Sequence, residues 1–292
     1  MKHEAISVYS SEFSVVKMCE ALEIEQRGYY QWLKGEEKRI EKRKAEIVLV
    51  EQVTEVFNES FKTYGYRRMH EALLAKGIKI SEYRTKKIMR ENGLYPETIK
   101  KQKPYPKQKN DNRYSENEIQ QEFNYAESNK CWAGDITYIK TFIGWVYLAV
   151  VLDLFNREVI GYSISKKVDT ELVKRALSNA LSRKGRVDGL VFHSDRGCQY
   201  SSVGFNKMLE LHGIKGSMSK AGCPFDNSCV ESFFATTKKE RIYRKNYVTM
   251  GDVESDMFEY IELFYNRKRI HSTLGYLSPV EYRMQNEANK TA

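Results

Sequence analysis

Apolar positions along the chain follow two different periods, and the change between them divides the sequence. Up to about residue 98 the spacing is helical. Val15, Val16, Cys19 and Leu22 recur three and four residues apart, and Tyr29, Tyr30 and Leu33 continue in a second short segment. Ile47, Val50, Val53 and Phe57 repeat in the same way. Then come Tyr64-Gly65-Tyr66-Arg67-Arg68, a predicted helix around residues 69–75 and a break at Gly77. Ser81 is placed to cap a helix that runs to Asn92, with Gly93 as its stop. That helix carries Arg84, Lys86, Lys87 and Arg90. Two short helices joined by a tight turn, the second basic, fit a DNA-binding helix-turn-helix. A small helical bundle with a solvated basic face fits the same pattern.

Beyond about residue 124 the period shortens. Residues 132–139 are rich in β-branched and aromatic side chains and predict a strand. Residues 144–154 form an almost unbroken apolar run, as expected in the middle of a sheet. A third strand is predicted over 158–165. Asp169 or Thr170 then caps a helix with Leu172, Val173, Ala176, Leu177 and Leu181 on one face. Strand 189–194, helix 202–212 and a short strand at 214–218 follow, and the chain is mostly helical from Asn227 onward. Three consecutive strands and then alternating helices and strands predict an α/β fold, a mixed five-stranded sheet flanked by helices. The boundaries are a helical segment over 1–40, a helix-turn-helix-like region over 41–98, a linker over 99–123 and an α/β unit over 124–292. The linker is read from Lys100-Lys101-Gln102-Lys103-Pro104-Tyr105-Pro106-Lys107, which is basic, proline-punctuated and poor in aliphatics.

Composition narrows the partners. The 292 residues carry 48 Lys+Arg against 39 Asp+Glu, a net charge of +9. Residues 1–115 hold 24 and 17 of these, net +7, which leaves 24 and 22, net +2, for the remainder. The surplus favours a polyanionic partner and lies mainly in the helical region and linker. The longest apolar run, Trp145 to Leu152, is far short of the roughly 18 residues that span a bilayer, so no membrane partner is expected. Met1-Lys2-His3-Glu4 lacks a signal-peptide core. The five cysteines are odd in number and form no CxxC pair, which excludes a disulfide framework and fits a reducing cytoplasm. Cys131 and Cys198 read as buried small apolar residues, and Trp132 and Trp145 as core.

The candidate chemistry is carboxylate chemistry, because a carboxylate in apolar surroundings is costly without a partner or a metal. Asp135 lies in the first predicted strand, Asp195 ends the fourth in His193-Ser194-Asp195-Arg196-Gly197, and Glu231 lies on a helix between Val230 and Phe233. Three carboxylates converging from two strands and a helix would make an oxygen cage suited to Mg²⁺. Asp153, also at a strand end, reads as part of a turn, and His193 as a hydrogen-bonded core histidine.

These residues carry a resemblance. Asp195 and Glu231 are 36 positions apart, and Lys238 follows Glu231 by two helical turns. The arrangement resembles the D,D(35)E core of transposases and retroviral integrases, whose fold is ribonuclease-H-like. The segments around Asp135, 193–200, 226–234 and Tyr265-Asn266-Arg267-Lys268-Arg269-Ile270-His271 resemble insertion-sequence transposases of the two-reading-frame type. So do Cys19 to Tyr30 and Tyr64 to Arg68. The resemblance implies that Asp135, Asp195 and Glu231 are catalytic and hold two Mg²⁺ ions, with Mn²⁺ as a substitute. It implies DNA contact by Lys238 and by Asn227, one turn before Glu231; Arg84, Lys87 and Arg90 of the basic helix are the further candidates for DNA binding. The implied reaction is cleavage at the transposon 3′ ends, then attack of each 3′-hydroxyl on a phosphodiester of target DNA. The implied partners are the terminal inverted repeats, target DNA, further copies in a synaptic homo-multimer, and a first-reading-frame protein or frameshift fusion, in the bacterial cytoplasm at the nucleoid. The alternatives are a ribonuclease-H-like nuclease and a non-catalytic DNA-binding regulator of the element.

Overall fold

The unbroken apolar run becomes a central strand. A computed structural model describes residues 2–97, 125–219 and 227–291; the predicted linker over 99–123 and Cys223 lie outside them. Strand β2 (Gly144–Asp153) is buried on both faces from Leu148 onward. It pairs antiparallel with β1 (Cys131–Thr141) and β3 (Val159–Ser165). Strands β4 (Val191–Ser194) and β5 (Lys215–Met218) add parallel to β1, giving the order β3-β2-β1-β4-β5. The mixed five-stranded sheet is the one the alternation predicts.

Helices α7 (Thr170–Lys184) and α8 (Val203–Leu211) cover one face. Asp169 caps α7 by accepting from the Leu172 N–H at 3.0 Å. Gly161 lets α7 approach β3: a Cβ there would lie 2.4 Å from the Ala176 carbonyl oxygen. The other face of the sheet packs α9 (Ser228–Glu240), α10 (Met250–Phe258) and the π-helical segment Glu259–Tyr265 that continues it.

At the N-terminus, α1 (Lys2–Tyr9), α2 (Val15–Ala21) and α3 (Gln26–Lys34) enclose a small core of Ile6, Cys19 and Tyr29. Helices α4 (Glu36–Glu59), α5 (Tyr66–Ala75) and α6 (Glu82–Glu91) follow. Ser81 caps α6 as expected, its Oγ accepting from the Arg84 N–H at 3.2 Å. Val53, Phe57, Met69, Leu73 and Ile88 of these helices belong to the same apolar cluster as Phe233, Tyr260 and Phe264. The helical region is therefore packed onto the α/β unit through shared core.

A buried ion pair lies at this junction. The Arg269 guanidinium, 2% exposed, donates from Nε to Glu240 Oε2 at 2.8 Å and from Nη2 to Oε1 at 2.7 Å. Tyr260 OH donates to Oε2 at 2.9 Å, and Arg68 lies 3.6 Å from Oε1. Tyr64 OH accepts from the Ile270 N–H at 2.9 Å and donates to the Lys268 carbonyl at 3.2 Å. Two segments that carried no role in the sequence reading, 64–68 and 265–271, are thus halves of one interface. His271 Nε2 lies 3.1 Å from Arg269 Nη1, and its ring meets Tyr265 edge-on. Burial, then the charges of Arg269, Arg68 and Arg157, push its pKa down to about 3.

Arg269→Ala is expected to cost about 3–5 kcal/mol, because it strands the Glu240 carboxylate in the core. The double variant Glu240→Leu/Arg269→Met removes both charges and should recover most of that loss; urea unfolding of the three proteins measures both. His271 gives a pH signature. The unfolded imidazole binds a proton below its ordinary value of 6.5, but the folded one does not until about 3. Its contribution is therefore complete above pH 6.5 and is lost as pH falls toward 3. His271→Gln should flatten the stability–pH curve between pH 6.5 and 5, by at most one proton's slope, in urea titrations at stepped pH.

Candidate active site

The parallel register sets the site. Gly134 of β1 lies opposite Ser194 of β4. Asp135 follows Gly134 within β1 and Asp195 follows Ser194 just past the end of β4, so the two leave neighbouring strands, about 4.8 Å apart, side by side. Asp195 begins the turn after β4, where its Oδ1 accepts from the Gly197 N–H at 2.9 Å. Arg196 turns away to donate to the Ser219 carbonyl at 2.8 Å. Asp135 Oδ1 accepts from the Ile136 N–H at 2.7 Å. Both carboxylates are half-buried. Tyr200 lies beneath them, fully buried, and its phenol is pushed well above its usual range by burial and then by the charges of Asp135 and Asp195. The two aspartates thus act on one common neighbour.

Helix α9 delivers the remaining candidates. Asn227, at its start, is buried, and Nδ2 donates to the Gly134 carbonyl at 3.3 Å. This bond ties the start of the helix to the residue preceding Asp135. Its Oδ1 is buried with no hydrogen-bond partner among the described residues. Val230, Phe233, Phe234 and Thr237 form the buried face of α9, and Glu231 lies on the exposed side. Lys238, two turns later, is half-buried, with Nζ 4.8 Å from the centre of the Tyr138 ring. Burial lowers its pKa, and the charge of Asp135 opposes that shift, so the ammonium and the carboxylate sense each other.

The structure therefore brings Asp135, Asp195, Asn227 and Lys238 to one place. It does not gather Glu231 with the two aspartates: among the described residues no group of three or more His, Cys, Asp or Glu is close enough to hold a metal. The donors that are together, two carboxylates with no thiolate or imidazole, suit a hard divalent cation. His193 is a core histidine, its ring nitrogens 2.8 Å and 3.2 Å from the hydroxyls of Ser217 and Ser219. Asp153 is consumed by its own turn, accepting from Ser128 Oγ at 2.6 Å and from the N–H groups of Asn129 and Phe155 at 3.0 Å.

Two expectations are corrected. Cys198 is exposed, because it sits in the turn after β4 and not in the strand. Trp145 is 44% exposed, because it lies at the far end of the β1–β2 hairpin, beyond the part that α7 covers. On α6, Arg84 is tied to Glu46 of α4, and Lys87 lies 3.8 Å from Glu91. Arg90 is exposed, together with Tyr83 and Lys86, which share its face of the helix. Tyr138, Tyr200 and the Glu240–Arg269 pair went unnoticed in the sequence. The alternation of β1 places Tyr138 on the face opposite Asp135, and no local signal marks the other three.

Matches to known proteins identify the family. Integrase core domain models match residues 126–224 and 231–286, and an HTH-like domain model matches 43–102. The InsF transposase of insertion sequence IS3A from Escherichia coli is 36% identical over 288 residues, covering 99% of this chain and 100% of that protein. The transposase of element IS904 from Lactococcus lactis is 36% identical over 239 residues, 82% of this chain and 94% of that one. The catalytic core of BIV integrase superposes with a TM-score of 0.43 at 18% identity, covering 56% of this chain and 99% of that one. The fold is that of the transposase and integrase class. Within it, the chain belongs to the IS3-type insertion-sequence transposases. No helix among the described residues is long and apolar enough to cross a membrane.

Gly134 generates a prediction. A Cβ there would lie 2.5 Å from Phe192 Cζ and 3.2 Å from Tyr200 OH, and both rings are held in the core. Gly134→Ala should cost about 1–3 kcal/mol through overpacking. It should also impair DNA joining more than that loss explains, because it shifts Asp135. Thermal unfolding and a joining assay on the same preparation separate the two effects.

Proposed function

We propose that this transposase cuts the 3′ ends of its own element and joins them to target DNA by direct transesterification. The observation that supports the reading is the juxtaposition of Asp135 on β1 and Asp195 just after β4, each following one residue of the paired Gly134 and Ser194, with Lys238 in electrostatic reach of Asp135. Water attacks the phosphodiester at each end and frees a 3′-hydroxyl; that hydroxyl then attacks a target phosphodiester and displaces its 3′-oxygen. Every bond broken is matched by one formed, and no protein nucleophile is required. Asp135 and Asp195, with Glu231 as the third ligand, would hold two Mg²⁺ ions, for which Mn²⁺ can substitute. Bound there, such ions activate the attacking oxygen and stabilise the leaving one.

The chain's own residues do the rest. Lys238 supplies a cation beside the carboxylates for the DNA phosphate, and Asn227 holds the start of α9 against β1. The region 41–98 grips the terminal inverted repeats through Arg84, Lys87 and Arg90 of α6; Arg90 is exposed, and Arg84 and Lys87 are also paired with Glu46 and Glu91. The segments 1–40, 99–123 and 124–292 serve as N-terminal helical segment, linker and catalytic unit. The partners are two element ends and target DNA, brought together by a homo-multimer, with a first-reading-frame protein or its frameshift fusion as a further component. The reaction takes place in the bacterial cytoplasm, on the nucleoid.

Alanine at Asp135, Asp195 or Glu231 is expected to reduce joining of labelled element ends below detection with Mg²⁺, while binding of the ends persists in a mobility-shift assay. Joining retained by any one of the three variants overturns its assignment. Cleavage of RNA–DNA hybrids without joining would replace strand transfer with a nuclease reading.

A further inference from the structure

The distal half of the β1–β2 hairpin leaves aromatic side chains uncovered. Strand β1 pairs with β4 only from Cys131 to Gly134; beyond that it continues on β2, with one further bridge from Thr141 to Tyr247 at its end. Odd-numbered positions face the shared core, where Ile139 is buried. Even-numbered positions face the other way, and α7 lies over β2 and β3 at their opposite end. The register places Tyr138 opposite Tyr147 and Lys140 opposite Trp145. Tyr138 is 39% exposed and Trp145 44%, and their rings meet edge-to-face at 5.3 Å. Exposing two large aromatic rings side by side forgoes burial that each could contribute to stability. The Lys238 ammonium sits 4.8 Å from the centre of the Tyr138 ring.

We propose that Tyr138, braced by Trp145 and joined by Lys238, is a stacking platform for an unpaired base at the end of the cut DNA. The inference rests on the strand-transfer reading above and names a positioning residue for it. Tyr138 is three residues from Asp135 along β1, about 10 Å at the rise of an extended strand. The two side chains lie on opposite faces of β1, but β4 stops opposite Gly134, and Lys238 reaches both the Tyr138 ring and the field of Asp135 across that open edge, so a short unpaired strand with its phosphate at the carboxylates can pass the same way. Aromatic rings beside a cationic side chain hold single-stranded bases by stacking, while the cation meets the backbone phosphate. A face that merely joined two copies of the chain would gain nothing from a lysine shared with Asp135.

The test uses the full chain with element-end duplexes that are either blunt or carry an unpaired terminal base, with 2-aminopurine at that position. Binding is measured with Ca²⁺ in place of Mg²⁺. The wild type should favour the unpaired end roughly five- to hundredfold, the range that base–aromatic stacking supplies, and should quench the probe. Tyr138→Phe should keep both properties. Tyr138→Leu, which keeps an apolar side chain and lacks a ring, should lose both and bind blunt ends as before. An unchanged preference in Tyr138→Leu overturns the platform. So does a change in sedimentation mass with the preference intact, which would make the face an interface between copies. Joining by Asp135→Ala would overturn the catalytic reading instead, so the two failures are distinguishable.

Discussion

The Glu240–Arg269 pair fixes the helix on which the site depends. Glu240 is the last residue of α9, and the same helix carries Glu231 and Lys238. Taking a carboxylate and a guanidinium out of water costs several kcal/mol per ion. Here the loss is offset by two-pronged geometry and by the Tyr260 hydroxyl, so that only one arrangement satisfies every group. At the other end, Asn227 donates to the Gly134 carbonyl. The helix is thereby tied at its start to the strand that carries Asp135 and at its end to the junction with the N-terminal helices. Lys238 lies one turn from neither anchor's control: a rotation of α9 that moved it off Tyr138 would also pull Glu240 out of the Arg269 fork.

The same pair joins the HTH-like region to the α/β unit. Tyr64, in the loop before α5, and Arg68, in the first turn of α5, touch Lys268, Ile270 and Glu240. Phe61 stacks edge-on against Phe264 at 4.7 Å, and Arg244 donates to the Phe61 carbonyl at 2.7 Å. The N-terminal helices and the C-terminal end of α9 are therefore continuous through packed side chains. The charge asymmetry of the chain acquires a structural meaning from this. Part of the positive surplus in the first 115 residues is spent on ion pairs that hold the helices in place, as at Arg84 and Glu46. What remains on the surface of α6 is Lys86 and Arg90, beside Tyr83.

Much of this was legible in the sequence, and the parts that were not have a common cause. Strands and helices announced themselves because their apolar period and their caps are local: Ser81, Asp169 and Gly93 each act within a turn of their own position. The aspartate pair was legible for the same reason, since each residue ends or interrupts a recognisable strand. Long-range pairings left no local trace. Arg269 read as one more basic residue in a family-like segment, though its partner lies 29 positions earlier. Trp145 read as core because tryptophan in an apolar run usually is; whether a strand's far end is covered depends on how far its neighbours extend, and β4 stops after four residues. Glu231 read as the third carboxylate from its spacing after Asp195; what the sequence did not reveal is that Val230, Phe233 and Phe234 form the buried face of α9 and leave Glu231 on the exposed side.

That outward position is informative about the carboxylates themselves. Two aspartates side by side repel each other, and the arrangement holds because backbone N–H groups orient each one and Lys238 adds a nearby positive charge. A third carboxylate at the same point would add repulsion that nothing among the described residues offsets. The apolar contacts of Val230, Phe233 and Phe234 that hold α9 against the sheet therefore place Glu231 on its exposed side and keep Lys238, seven residues on, within the field of Asp135.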